Sequence, residues 1–72
     1  MTFSIGDLIY NTRDGIIFVI ISKNKSNYTL EAIYDKRKDF VRTRFEMSRK
    51  SLVYNFEEPE KSKWLIHYKV KK

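Results

Sequence analysis

The feature that most restricts this chain is Ile16-Ile17-Phe18-Val19-Ile20-Ile21, a run of β-branched and aromatic residues set between Asp14-Gly15 and a polar stretch that begins at Ser22. It is too short for an ordinary helix, and side chains branched at Cβ are accommodated best on a pleated strand. Being apolar at every position, it predicts a strand buried on both faces at the centre of a sheet. It also falls far short of the ~20 apolar residues that cross a bilayer, and Met1-Thr2-Phe3 lacks the basic start of a signal peptide. No membrane partner is expected, and a soluble cytoplasmic protein is.

Turn signals and two-residue alternation organise the rest. Ser4-Ile5-Gly6-Asp7 reads as an entry turn, and Leu8-Ile9-Tyr10 as a first strand that reaches the central run through Asn11-Thr12-Arg13-Asp14-Gly15. After a polar tip at residues 22–27, Tyr28, Leu30, Ala32 and Tyr34 alternate with Thr29, Glu31 and Ile33, the period of a half-exposed strand. A charged turn at residues 35–39 leads to a strand with Val41, Thr43 and Phe45 on one side. Phe40, Arg42 and Arg44 take the other, solvent-facing side. Residues 46–51 suit a single 3₁₀ turn, and Leu52-Val53-Tyr54-Asn55-Phe56 a further strand. Pro59 marks a connector, and Trp64, Ile66, Tyr68 and Val70 share one face of a last strand whose other face holds His67 and Lys69.

No segment keeps a 3.6-residue period, so the chain reads as all-β with closely spaced strands. At 72 residues it has room for one domain, residues 1–72, with a small core and no deep, dry cavity. It contains no cysteine, which removes disulfides and thiolate metal sites and fits a reducing compartment.

Ile5-Gly6-Asp7-Leu8-Ile9-Tyr10 followed by Asp14-Gly15-Ile16-Ile17-Phe18-Val19-Ile20 resembles the start of KOW, Tudor and other SH3-like barrels. In those families a Gly-Asp-hydrophobic strand turns through a glycine into a hydrophobic second strand. The order of elements continues the likeness over residues 3–56. The resemblance implies an SH3-like barrel of five strands; residues 57–72 fall outside it and read as a connector and an added C-terminal strand that pairs with a barrel edge. Such barrels bind RNA, DNA, peptides or modified side chains, so the resemblance implies a binding module without choosing its partner. The small basic format, rich in Lys, Asn and Ile, is similar to that of many small phage proteins.

The formal charge of +6 is lopsided: residues 1–35 sum to −1 and residues 36–72 to +7. Lys36, Arg37, Lys38, Arg42, Arg44, Arg49 and Lys50 fall within fifteen residues, opposed in that window only by Asp39 and Glu46. Phosphate backbones reward such clustering by counterion release. Tyr34 and Phe40 flank the turn and offer rings for base stacking, though core or cross-strand packing is the first account of them. Solvation of a turn and protection of a strand edge are the competing account of the bases. Lys61, Lys63, Lys69, Lys71 and Lys72 either extend the patch or form a basic tail.

Two partners follow: nucleic acid, DNA or RNA, held mainly by its backbone, or an acidic protein on which a phage-type factor docks to modulate or inhibit it. Tyr10, Phe18, Tyr28, Tyr34 and Tyr54 raise the further prospect of an aromatic cage for a methylated cation, which the positive second half disfavours. Catalysis has no residue set behind it, since Ser48 and Ser51 sit in no nucleophile elbow and no glycine-rich phosphate loop exists. His67, the only histidine, is expected at an exposed strand position without an orienting carboxylate or a metal. Glu57, Glu58 and Glu60 read as a solvated acidic loop. No cofactor is called for, and the state is a monomer or a homodimer, the latter through pairing of the C-terminal strand.

Overall fold

The computed structural model describes residues 3–57 and 63–70, the side chains of Tyr54, Asn55 and Glu57 excepted. Its order is β1 Leu8–Asn11, β2 Ile16–Lys23, β3 Asn27–Asp35, β4 Asp39–Ser48, α1 Arg49–Glu57 and β5 Leu65–Tyr68. All neighbours pair antiparallel in one unclosed sheet ordered β4-β3-β2-β1-β5. The chain is therefore mostly β, as its alternation implies, with a central β2 flanked by β1 and β3.

Local chemistry sets the turns. Gly6 and Gly15 both take positive φ, at 95° and 68°. The Gly6 amide donates to the Ile20 carbonyl at 2.7 Å, so the entry turn is stitched onto β2 before β1 begins. The Asn11 side chain accepts from the Asp14 amide at 3.0 Å, an Asx turn that delivers the chain into Gly15. Between β3 and β4 the Lys38 amide donates to the Asp35 carbonyl at 2.9 Å, and Asp39 then adopts φ 65°. That is a three-residue hairpin loop closed by a left-handed residue, a place Asp tolerates better than a β-branched side chain would.

Residues 49–57 correct the sequence reading: they form a helix, not a 3₁₀ turn followed by a strand at Leu52–Phe56. Ser48 caps it, its Oγ accepting the Ser51 amide at 3.1 Å, and the Arg49 amide is tied to the Ser26 carbonyl at 2.8 Å. Leu52 and Phe56, one helical turn apart, then face the sheet together with Val53. The sheet accordingly has five strands. The last is the C-terminal segment, which pairs with the edge of β1 as expected.

The core lies on the inner face of the sheet and consists of Phe3, Ile9, Ile20, Tyr28, Leu30 and Leu52. Phe3 is its centre, with ring centroids 5.7 Å from Tyr28, 5.2 Å from Phe56 and 4.6 Å from His67. Of the run Ile16–Ile21 only Ile20 is fully buried; the others are half-buried, so the expectation of cover on both faces is not met.

Opposed residues share a face, so the outer face carries Leu8 with Val19 and Tyr68, and Tyr10 with Ile17 and Ile66. Apolar side chains thus line both sides of the sheet over β5, β1 and β2. Among the described residues no helix is long and apolar enough to cross a membrane.

Candidate nucleic-acid interface

β4 is an edge strand, and the register fixes what it shows. Thr43, Phe45 and Met47 lie opposite Ala32, Leu30 and Tyr28, hence on the inner face, while Arg42 and Arg44 point outward, as the alternation predicted. Against β2 a register shift makes Ile33 an extra residue, and in the ladder with β4 Val41 and Arg42 together face Ile33. Tyr34, read from the sequence as sharing a face with Leu30 and Ala32, is thereby carried to the outer face opposite Ile17 and Phe40. Its ring meets Phe40 edge-on, centroids 5.7 Å apart and planes inclined 72°. Phe40 itself is 87% exposed.

The structure gathers five of the seven candidate bases at this corner. Lys36, Arg37 and Lys38 form the hairpin tip beside Phe40, and Arg42 and Arg44 follow along the same outer face. Arg49 and Lys50 stand past the far end of β4, whose Ser48 is roughly 27 Å from Phe40 at a strand rise of about 3.4 Å per residue. There the Arg49 guanidinium sits 5.4 Å from the Tyr28 ring.

Two carboxylates invisible to a linear count lie beneath the bases. Asp35 accepts the Arg37 Nε and Nη2 donors, both at 3.2 Å, and the Arg37 amide at 2.9 Å. Those bonds from Arg37 hold the Asp35 carboxyl below its ordinary range and raise Arg37 in turn. Glu31 lies opposite Arg44 in register and 3.4 Å from the Arg42 guanidinium.

In each pair the acid is the inner partner: Asp35 and Glu31 side chains are 10% and 13% exposed, against 65% and 86% for Arg37 and Arg42. The carboxylates anchor guanidiniums whose remaining donors face solvent, so the accessible layer is cationic although acids lie beneath it. Lys36 contributes by its stem, which packs against Gly15 so closely that an added Cβ there would collide with its Cδ.

His67 requires a correction. Its inward position on β5 puts Nε2 2.8 Å from Asp7 Oδ2, with both side chains largely buried. Burial alone would push the Asp7 carboxyl up. The Ser4 amide at 2.9 Å, the His67 ring and the Val70 amide outweigh it and hold the group below its usual range. As an ionised carboxylate only accepts, Nε2 is the protonated nitrogen. The pair closes the N-terminal turn onto the C-terminal strand. No sequence pattern signals it, because its members are sixty positions apart.

The aromatic cage does not assemble among the described residues: Tyr28 is in the core, Phe18 packs on Phe45 on the inner face, and Tyr10 lies on the outer one. Trp64 is overlaid by Arg13 and Lys63, at 5.0 and 4.6 Å. The side chains of Tyr54 and Glu57, and the residues Glu58, Glu60, Lys61, Lys71 and Lys72, lie outside what the structure describes. Across the inner face, Phe45 and Met47 of β4 and Trp64 and Leu65 at β5 line a common cleft of about 530 Å³ floored by Ile9, Phe18 and Leu30. The two free edges of the sheet thus look onto one space. No family model, curated protein or solved structure matches this chain.

Proposed function

We propose that this chain is a non-enzymatic module that binds nucleic acid through the β3–β4 corner, mainly by contacts to the phosphate backbone. The observation that carries the reading is the layering there, with cations outermost, carboxylates beneath them and the exposed Phe40 ring alongside, backed by half-buried Tyr34. Arginines held from behind have lost side-chain freedom in advance, which lowers the cost of ordering them on a phosphate. The fold is read as an SH3-like barrel left open between β4 and β5. Support comes from the strand order, the helix between the last two strands and the cleft shared by the two edges.

The test is a salt titration of binding to a mixed-sequence oligonucleotide by the full chain and by Arg42→Ala/Arg44→Ala. Affinity should drop and the slope of log K against log salt should shrink by about one to two, for the two phosphate contacts removed. Arg49→Ala/Lys50→Ala, at the other end of β4, should change either much less. Unchanged affinity and slope in the Arg42/Arg44 variant would sink the reading.

A second reading, docking on an acidic protein, is favoured by the apolar outer face of Leu8, Tyr10, Ile17, Val19, Ile66 and Tyr68. Co-purification with and without nuclease separates the two, since a partner that survives digestion is not held through nucleic acid.

A further inference from the structure

Phe40 has no role in the fold that its position explains. It is 87% exposed on a strand otherwise secured by its ladder with β3, and its aromatic neighbour is Tyr34. An edge-to-face contact engages the edge of one ring and one face of the other, so the pair keeps ring surface open to solvent. Phe40 lies opposite Tyr34 on the outer face, and Arg42 and Arg44 both meet Glu31 there, one by ion pair and one by register, so the three share a face at two-residue steps of about 7 Å. That spacing is comparable to the distance between successive phosphates along an extended strand. β4 ends the sheet, so nothing in the strand order crosses this line of side chains.

A nucleobase inside a duplex has both faces covered by its neighbours and cannot lie on a protein ring, whereas an unpaired base can. A duplex at this corner would meet the arginines and leave Phe40 idle. We infer that the ligand is single-stranded nucleic acid lying along β4, with a base stacked on Phe40 and adjoining phosphates on Arg42 and Arg44. This rests on the nucleic-acid reading above and adds the conformation of the ligand. Tyr34 supports the Phe40 ring from the side and sets its inclination, acting as a positioning residue.

The experiment measures fluorescence anisotropy of labelled oligothymidylate and oligouridylate, each about 20 nucleotides long so that they exceed the site, and of duplex DNA of equal length. The full chain is compared with Phe40→Ala, Phe40→Trp and Arg42→Ala/Arg44→Ala. At least one single strand should bind more tightly than the duplex, and its preference over the other distinguishes DNA from RNA as the ligand. Phe40→Ala should weaken that single strand roughly 5- to 100-fold, the range for loss of one base–aromatic stack, without altering duplex affinity or the salt slope. Phe40→Trp should restore binding.

The inference is overturned if Phe40→Ala leaves single-strand affinity unchanged, if it weakens duplex and single strand equally, or if the duplex binds as tightly. In those cases a salt slope that still depends on Arg42 and Arg44 preserves the broader reading. Failure of every probe to bind removes both.

Discussion

β3 and β4 are paired nearly end to end, yet they belong to different parts of the molecule. Tyr28, Leu30 and Ala32 of β3 are buried, while their partners Met47, Phe45 and Thr43 across the ladder are half-buried or exposed. The core stops at β3. Apart from Phe45 and Met47, which pack on Phe18 and the core from the inner face, β4 is held by its backbone ladder, and its outer face is left for something other than folding. One strand carries stability and its neighbour carries surface chemistry, and substitutions should separate the two.

The largest expected effect is on the buried side. Leu30→Ala should cost about 2–5 kcal/mol, a large share of the stability of so small a domain, measured by chemical denaturation. Next is the clasp behind β3. Ionised Asp7 has a folded-state value below its unfolded one, so it favours the folded chain at every pH above about 4. The contribution disappears as pH falls through the lowered folded value. Asp7→Asn should lose about 1–3 kcal/mol near neutrality and show a shallower acid limb in stability against pH.

Phe45, 47% exposed across from Leu30, should cost about 1–2 kcal/mol on truncation to Ala, between the buried and surface cases. Phe40→Ala should change stability by less than about 0.5 kcal/mol, as for surface sites away from structural features. If Phe40→Ala instead proved as costly as Leu30→Ala, the division between the two strands would not hold.

What the sequence revealed follows from what acts locally. Asp14-Gly15, the polar tip after Ile21 and the alternation of residues 28–32 and 40–45 specify their turns and faces with neighbouring residues alone. Residues 52–56 read as a strand although they are helical, because Leu52 and Phe56 satisfy a strand's alternation as well as a helix's four-residue step. The discriminating signal was Ser48, three positions before Ser51. The bulge at Ile33 was hidden because an inserted residue shifts the period without changing composition, and it moved Tyr34 to the other face. Asp35 and Glu31 were missed as partners of the arginines, and Asp7 as the partner of His67, because register and closure across the sheet create those pairs.

The Asp7–His67 contact has a consequence for the order in which the molecule is built. β2, β3 and β4 are successive hairpins whose closing loops are short, whereas the β1–β5 ladder joins residues 8–11 to residues 65–68 and must close most of the chain. Loop-closure entropy of that kind is met before its contacts reward it, so β5 should dock after the barrier, with φ near zero for substitutions at His67 in folding kinetics. During synthesis, Asp7 waits on the ribosome for a ring that emerges some sixty residues later. A chain interrupted before residue 67 leaves Phe3 and Asp7 without the ring that covers them, so β5 reports that synthesis has passed this point.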